Sequence, residues 1–200
     1  MTDSHSAKQS SPSCGWLTLD QVLITSQLNA RPHRPPDLEG ERRAMQILAE
    51  TSFDNAKQIL DTLVNVAMQI CRADSAGISV LEETPGQERF IWPAIAGRFA
   101  GNVGNGMSRW ASPCGTVLDK NRPLLFEHPE YHFPYAVLVD PPIVEALLAP
   151  FHLDGKPVGT VWLVAHSSNR KFDSEDLRLL TKLTEFASEK VNLIRECVAH

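Results

Sequence analysis

Apolar positions along the chain change period several times, and each change marks an element. From Asp54 onward, Ala56, Ile59, Leu63, Val66 and Ile70 lie three or four apart, which predicts one amphipathic helix ending near Cys71-Arg72. Ala76 to Leu81 follows as a strand, closed by the turn signal Pro85-Gly86, and Arg89 to Ile95 reads as its antiparallel return. Four glycines and two asparagines between Gly97 and Gly106 break all periodicity, so a loop is expected there. Ser112-Pro113-Cys114-Gly115 opens a short helix to Asp119. Serine suits its N-cap and proline its first position, where a missing N–H costs nothing. Arg122 to Phe126 reads as a short edge strand, and four prolines make His128 to Pro142 irregular. Glu145 to Phe151 and Val158 to Ala165 flank Asp154-Gly155, a pair suited to the positive φ angles of a two-residue hairpin turn.

Asp173-Ser174-Glu175-Asp176 opens the last helix with acid at the positive end of its dipole. Leu177, Leu180, Thr184, Ala187, Val191, Ile194 and Val198 then hold three-four spacing, a coiled-coil seam weakened at Thr184 and Ala187. Upstream, Trp16 to Ile24 begins a short helix that ends before Arg31-Pro32, and Arg31 to Pro36 reads as an extended linker. Asp37 to about Ala49 is helix-compatible, with Ala44, Ile47 and Leu48 on its apolar side. The expected organisation is a disordered leader, short helix and Pro-rich linker over 1–36, an N-terminal helix over 37–52, and a domain with a long C-terminal helix over 53–200. Antiparallel strands with segregated helices make an α+β fold, one sheet with helices packed on one face.

Composition narrows the function classes. Two hundred residues, 42% hydrophobic and 22% charged, suit one soluble domain whose core needs no metal or disulfide. Nineteen basic against twenty-four acidic side chains give −5, so no basic footprint for nucleic acid or an anionic membrane is visible. No apolar run approaches the roughly 20 residues that span a bilayer. The polar Met1-Thr2-Asp3-Ser4-His5 lacks the order of a signal peptide, which makes the cytoplasm the expected location. Cys14, Cys71, Cys114 and Cys197 are scattered with no Cys-x-x-Cys pair, and read as free thiols.

Three stretches together carry a family resemblance. Arg72-Ala73-Asp74-Ser75-Ala76-Gly77-Ile78-Ser79-Val80 resembles the first strand of GAF domains. Leu148 to Trp162, with Asp154-Gly155 at its turn, resembles the family's closing hairpin, and Phe172-Asp173-Ser174-Glu175-Asp176-Leu177 the start of its final helix. The match covers about residues 53 to 190. Ser112-Pro113-Cys114-Gly115-Thr116 and the Pro-rich linker are similar to GAF input domains of bacterial sensor histidine kinases. The resemblance implies a six-stranded antiparallel sheet with a ligand pocket on one face. On the other it implies a helical bundle often used for dimerisation. The sequence ends at His200 with no phosphoacceptor helices or ATP-binding domain, so kinase activity is not expected of this stand-alone module.

Cys114 is the sharpest chemical candidate. A thiolate in the first turn of a helix is stabilised by the dipole and free N–H groups, and Arg109 lies near in sequence. That reading gives a redox-sensing thiol or a covalent attachment point; the other is a small buried residue at a tight helix start. His128 and His132 have zinc-compatible spacing, but prolines extend that backbone and no fourth ligand is evident, so no metal is expected. Trp92, Phe99, Trp110, Tyr131, Phe133 and Tyr135, with Arg98, Arg109 and Asp140, supply the aromatic and polar mix of a small-molecule pocket. The expected ligand-binding residues are Trp92, Arg109, Trp110, Cys114, His128, His132, Tyr135 and Asp140, while Trp162 reads as sheet core. Gly97 to Gly106 lacks the Gly-Lys-Ser/Thr ending of a phosphate cradle and reads as a lid or connector.

The leading expectation is a small-molecule-binding or redox-sensing signalling module without catalytic output, needing no cofactor. It is expected to be a homodimer through its terminal helices that acts on a separate signalling partner. One alternative is a GAF-fold thiol enzyme similar to free methionine sulfoxide reductases, using Cys114 in its Cys-Gly-Thr run with Cys71 as resolving thiol. The other is a bilin-binding photosensor with Cys114 in a thioether to a tetrapyrrole. Relatives that attach bilin there commonly follow the cysteine with histidine, where this chain has Gly115.

Overall fold

Alternation along the central strands sorts side chains onto two faces of one sheet. In the computed structural model, which describes residues 16–51, 56–82, 84, 86–133, 140–190 and 192, six strands pair antiparallel in the order β3-β2-β1-β6-β5-β4. They are β1 (Ser75–Glu82), β2 (Arg89–Gly97), β3 (Gly106–Ser108), β4 (Leu124–Glu127), β5 (Glu145–Leu153) and β6 (Lys156–Ala165). On β1, Ala76, Ile78 and Val80 join one core cluster, with Val161, Leu163 and Ala165 beside them on β6. The intervening Gly77 and Ser79 look the other way, as do Trp162 and Val164. Each central strand therefore serves a tightly packed side and a more open one.

The packed side is closed by three long helices: α3 (Leu38–Glu50), α4 (Ala56–Ile70) and α6 (Ser174–Glu189), which follow α1 (Leu19–Val22), α2 (Gln27–Ala30) and, late in the chain, α5 (Pro113–Lys120). Helix α4 buries Ile59, Leu60, Leu63, Val64, Val66 and Ala67. Each of its larger apolar side chains stabilises the fold by roughly 1.5–3 kcal/mol. Helix α6 starts at Asp173, whose carboxylate accepts from the N–H groups of Glu175 (2.9 Å) and Asp176 (3.0 Å). Of the expected seam, Leu180, Thr184 and Ala187 are buried against this sheet; Val191, Ile194 and Val198 lie outside the described residues. The small side chains at 184 and 187 fit a helix lying on its own sheet.

Both expected hairpins are present, and the second turns at Asp154 (φ 51°) and Gly155 (φ 76°). Two stretches differ from the sequence reading. The glycine-rich stretch holds a 3-10 turn at Ala100–Asn102 and ends in β3, which pairs with Arg89, Phe90 and Ile91. Three residues beginning with glycine are too short to show alternation. The single helix expected after Trp16 is instead two turns, α1 and α2, with extended backbone between them. There Leu23 bridges Phe126, and Ile24 donates to the Leu125 carbonyl, so this segment covers the outer edge of β4. No helix among the described residues is long and apolar enough to cross a membrane.

Candidate functional site

The open side of the sheet is roofed by α5, the 98–108 loop and the segment around Asp140–Ile143, enclosing a cavity of about 910 Å³. Its floor is set by a missing side chain. Gly77 lies directly across from Trp162 in the β1–β6 register, and a Cβ at Gly77 would come within 2.1 Å of the indole. The indole therefore lies over β1, where its Nε1–H donates to Ser79 Oγ at 3.0 Å. Phe99 stands edge-on to it with ring centroids 6.4 Å apart, and Trp92 and Ile95 add to the walls from β2.

Phe99 is fixed from behind by a buried polar network. Its N–H donates to Ser75 Oγ (3.2 Å), which lies 2.9 Å from His166 Nε2. His166 Nδ1 donates to the Pro142 carbonyl at 2.9 Å, the His166 N–H to Asp74 at 2.8 Å, and the imidazole stacks edge-on against Phe99 at 4.5 Å. The loop is pinned as well: Gly104 N–H donates to the Trp92 carbonyl and Trp92 N–H to that of Asn105, both at 2.9 Å. Asn102, Asn105, Met107 and Ser108 consequently line the cavity from a hydrogen-bonded loop.

Helix α5 brings Cys114 to the same floor. Ser112 Oγ caps Gly115 N–H at 3.1 Å, and Gly115 approaches the chain so closely that a Cβ would meet the Arg109 carbonyl at 2.0 Å. The Pro-Cys-Gly run is thus what a tight helix start requires. Cys114 Sγ lies 3.4 Å from Ser79 Oγ and accepts from Thr160 Oγ1 at 3.3 Å. Burial pushes its thiol up from the ordinary range, against the opposing pull of those two hydroxyls. Cys71 sits in the helix-side core on the opposite face of the sheet, where burial likewise pushes its thiol up.

Of the residues expected from sequence, the structure brings Trp92, Cys114 and Asp140 to the cavity. Arg109, Trp110, His128 and His132 do not line it. The Arg109 guanidinium pairs with Asp119 (2.5 Å), lies 3.8 Å from Glu88 and sits over the Trp110 ring at 4.7 Å, leaving Trp110 73% exposed. His128 Nδ1 meets Glu130 Oε1, and His132 Nδ1 donates to the Leu17 carbonyl, both at 2.9 Å. These contacts turn the two rings to different partners, and among the described residues no three His, Cys, Asp or Glu side chains gather as a metal site. Tyr135 lies outside the described residues. Ser79 was missed, and Trp162, read as core, is buried yet forms the floor. The available signal was a central strand alternating Ser75, Gly77 and Ser79 with Ala76, Ile78 and Val80.

Residues 54–190 match the sequence profile of the GAF domain. No curated protein matches the sequence. Among solved structures, the chain is similar to the GAF domain of a phosphoenolpyruvate-protein phosphotransferase from Acinetobacter, at 20% identity and a TM-score of 0.67, covering 84% of this chain and 97% of that one. It is also similar to free methionine-R-sulfoxide reductase from Neisseria meningitidis in complex with its substrate, at 13% identity and TM-score 0.59, covering 84% and 99%. The photosensory core of the Stigmatella aurantiaca phytochrome matches at 13% identity and TM-score 0.60 over 83% of this chain and 39% of that one.

Proposed function

The chain belongs to the GAF-domain family, and on that premise we propose that it is a small-molecule-binding signalling module with no turnover of its own. The observation that carries this is the cavity of about 910 Å³, walled by Trp92, Phe99 and Trp162 with Ser79, Asn105 and Asp140 among its polar groups. Largely apolar walls with few fixed polar atoms suit capture of a small organic molecule. Occupancy is relayed through the terminal helices to a second copy of the chain or to a separate signalling partner.

The thiol-enzyme alternative needs a nucleophilic thiolate and a second thiol within reach. Here the Cys114 thiol is pushed toward its neutral form, and Cys71 is across the sheet from it. A bilin thioether would likewise have to form on a sulfur already engaged with Ser79 and Thr160. A thermal-shift screen against a mixed metabolite panel tests the main reading, with at least one compound expected to raise Tm in wild type and not in Trp162→Ala. Incubation with free methionine-R-sulfoxide and a dithiol should yield no methionine. Turnover there, abolished by Cys114→Ser, overturns the proposal, and so does a panel in which nothing binds.

A further inference from the structure

We propose that the cavity takes an uncharged ring compound carrying a hydrogen-bond acceptor, a carbonyl or ring nitrogen, which meets the Ser79 hydroxyl at the floor. This deepens the ligand-binding reading above and rests on it. The observation behind it is a count of hydrogens. Trp162, Ser79, Cys114 and Thr160 form one buried chain of contacts: Trp162 Nε1 to Ser79 Oγ at 3.0 Å, Cys114 Sγ to Ser79 Oγ at 3.4 Å, and Thr160 Oγ1 to Cys114 Sγ at 3.3 Å. Each of the four side chains brings one hydrogen, that of Cys114 because burial favours the neutral thiol. Three contacts hold three hydrogens, so one donor is left over among the described residues.

That donor belongs to the floor. Thr160 is fully buried outside the lining, and the indole N–H is taken by Ser79, whereas Ser79 and Cys114 both line the cavity. An O–H is a stronger donor than an S–H. An arriving acceptor is therefore served when Cys114 turns its S–H to Ser79 and Ser79 turns its O–H to the cavity. Ser79 is buried at the foot of the space, so a ligand without an acceptor leaves this hydrogen unpaired at a desolvation cost. The Cys114 N–H, at the start of α5, is a further donor beside the same sulfur and adds to the preference. Charge is balanced: the lining carries one guanidinium, Arg89, and one carboxylate, Asp140, both exposed, and Arg89 pairs with Glu82 at 2.8 Å. Trp92, Phe99 and Trp162 give an uncharged ring system apolar surface to lie against.

Three bicycles of nearly one shape separate the acceptor from fit: 1-indanone with a carbonyl, indane with no polar group, and indole with an N–H donor alone. Amide chemical-shift titration of the full chain should give 1-indanone a Kd about fivefold below that of indane, the advantage of one net hydrogen bond, with indole also weaker than 1-indanone. Trp162→Phe keeps an aromatic floor, removes the indole N–H as a substitute donor, and should retain the ratio of 1-indanone to indane. Adding Ser79→Ala in that background should bring the ratio close to one. In the wild-type complex the carbonyl stretch of 1-indanone should stay near its position in water. The inference falls if indane or indole binds as tightly as 1-indanone, if Trp162→Phe alone abolishes the ratio, or if the ratio survives Ser79→Ala. It falls too if the carbonyl band moves to its position in hexane, or if no probe binds. The broader ligand-binding reading is judged separately, by the metabolite panel, and a hit there without an acceptor sinks only the present inference.

Discussion

Trp162 and Cys114 share Ser79 as a hydrogen-bond partner, and the floor of the cavity depends on how closely those three pack. A methyl group at position 77 collides with the indole rather than filling space. Gly77→Ala should therefore cost about 1–3 kcal/mol of stability and tilt Trp162 into the cavity. Near-ultraviolet circular dichroism should change while the far-ultraviolet spectrum holds; an unchanged Trp162 signature would count against this account of the floor. Cys114 follows from the same burial. Its thiol keeps its proton in the folded state at a pH where the unfolded chain has begun to ionise, near 8.5. Its contribution to stability is thus complete below that pH and is lost as pH rises beyond it. Alkylation in native buffer should be slow, with an apparent thiolate pKa above the free-thiol value, and Cys114→Ser should flatten the alkaline fall in stability. Rapid alkylation near neutral pH would restore the redox reading. The sequence brought attention to Cys114 through its helix start, but its protonation is decided by burial against strands far away in the chain, which outweighs the opposing pull of Ser79 and Thr160.

Helix α3 is fastened to α6 through one carboxylate. Glu41 is buried, 2.5 Å from an Arg178 nitrogen and also paired with Lys182, and Arg178 above all holds its carboxyl down from 4.5 to about 2. Because the unfolded carboxyl takes up its proton first as pH falls, the clamp is fully effective above about 4.5 and lost toward 2. Both basic partners are partly exposed, so Glu41→Gln should cost only about 1–2 kcal/mol at neutral pH. That cost should vanish in unfolding curves taken near pH 2; a pH-independent cost would mean that shape rather than charge joins the helices. At this scale much was legible. The long helices and both hairpins announced themselves by period and by turn residues such as Asp154-Gly155. Strand β3 did not, being three residues long, and neither did the split of the first helix, which the tertiary pairing of Leu23 with Phe126 imposes. The loop residues chosen for chemistry fared unevenly for a related reason: Arg109 and His132 are claimed by Asp119 and by the Leu17 carbonyl, partners that no local pattern reveals.

Across the whole molecule, the cavity and the three long helices lie on opposite faces of the sheet, and residues 16–36 touch both. Leu17, Leu19, Val22 and Leu23 pack on the cavity side; Ile24 and Leu28 pack on the helix side, so the chain rounds the sheet edge between Leu23 and Ile24. At one end, Leu17 N–H donates to the carbonyl of Tyr131, two residues from Pro129 in the cavity lining. At the other, Arg31 grips the buried Glu145 at 2.8 and 3.0 Å, and Arg34 meets the buried Asp176 of α6 at 2.5 Å. A buried carboxylate stripped of its arginine is costly, so these contacts keep the strap in place and make it a physical link from the cavity to the first turn of α6. Ligand that tightens the cavity wall should then slow opening of the strap, because the strap is hydrogen-bonded to Tyr131 and His132, which directly follow the lining residue Pro129 and its neighbour Glu130 in the chain. Hydrogen exchange with a compound from the metabolite panel should show added protection at Leu17, Leu23 and Ile24 as well as at the lining residues. The exposed face of α3 around Ile47 should exchange unchanged. Protection confined to the lining, with the strap amides indifferent to ligand, would show that this segment is a fixed brace and that any signal crosses the sheet directly.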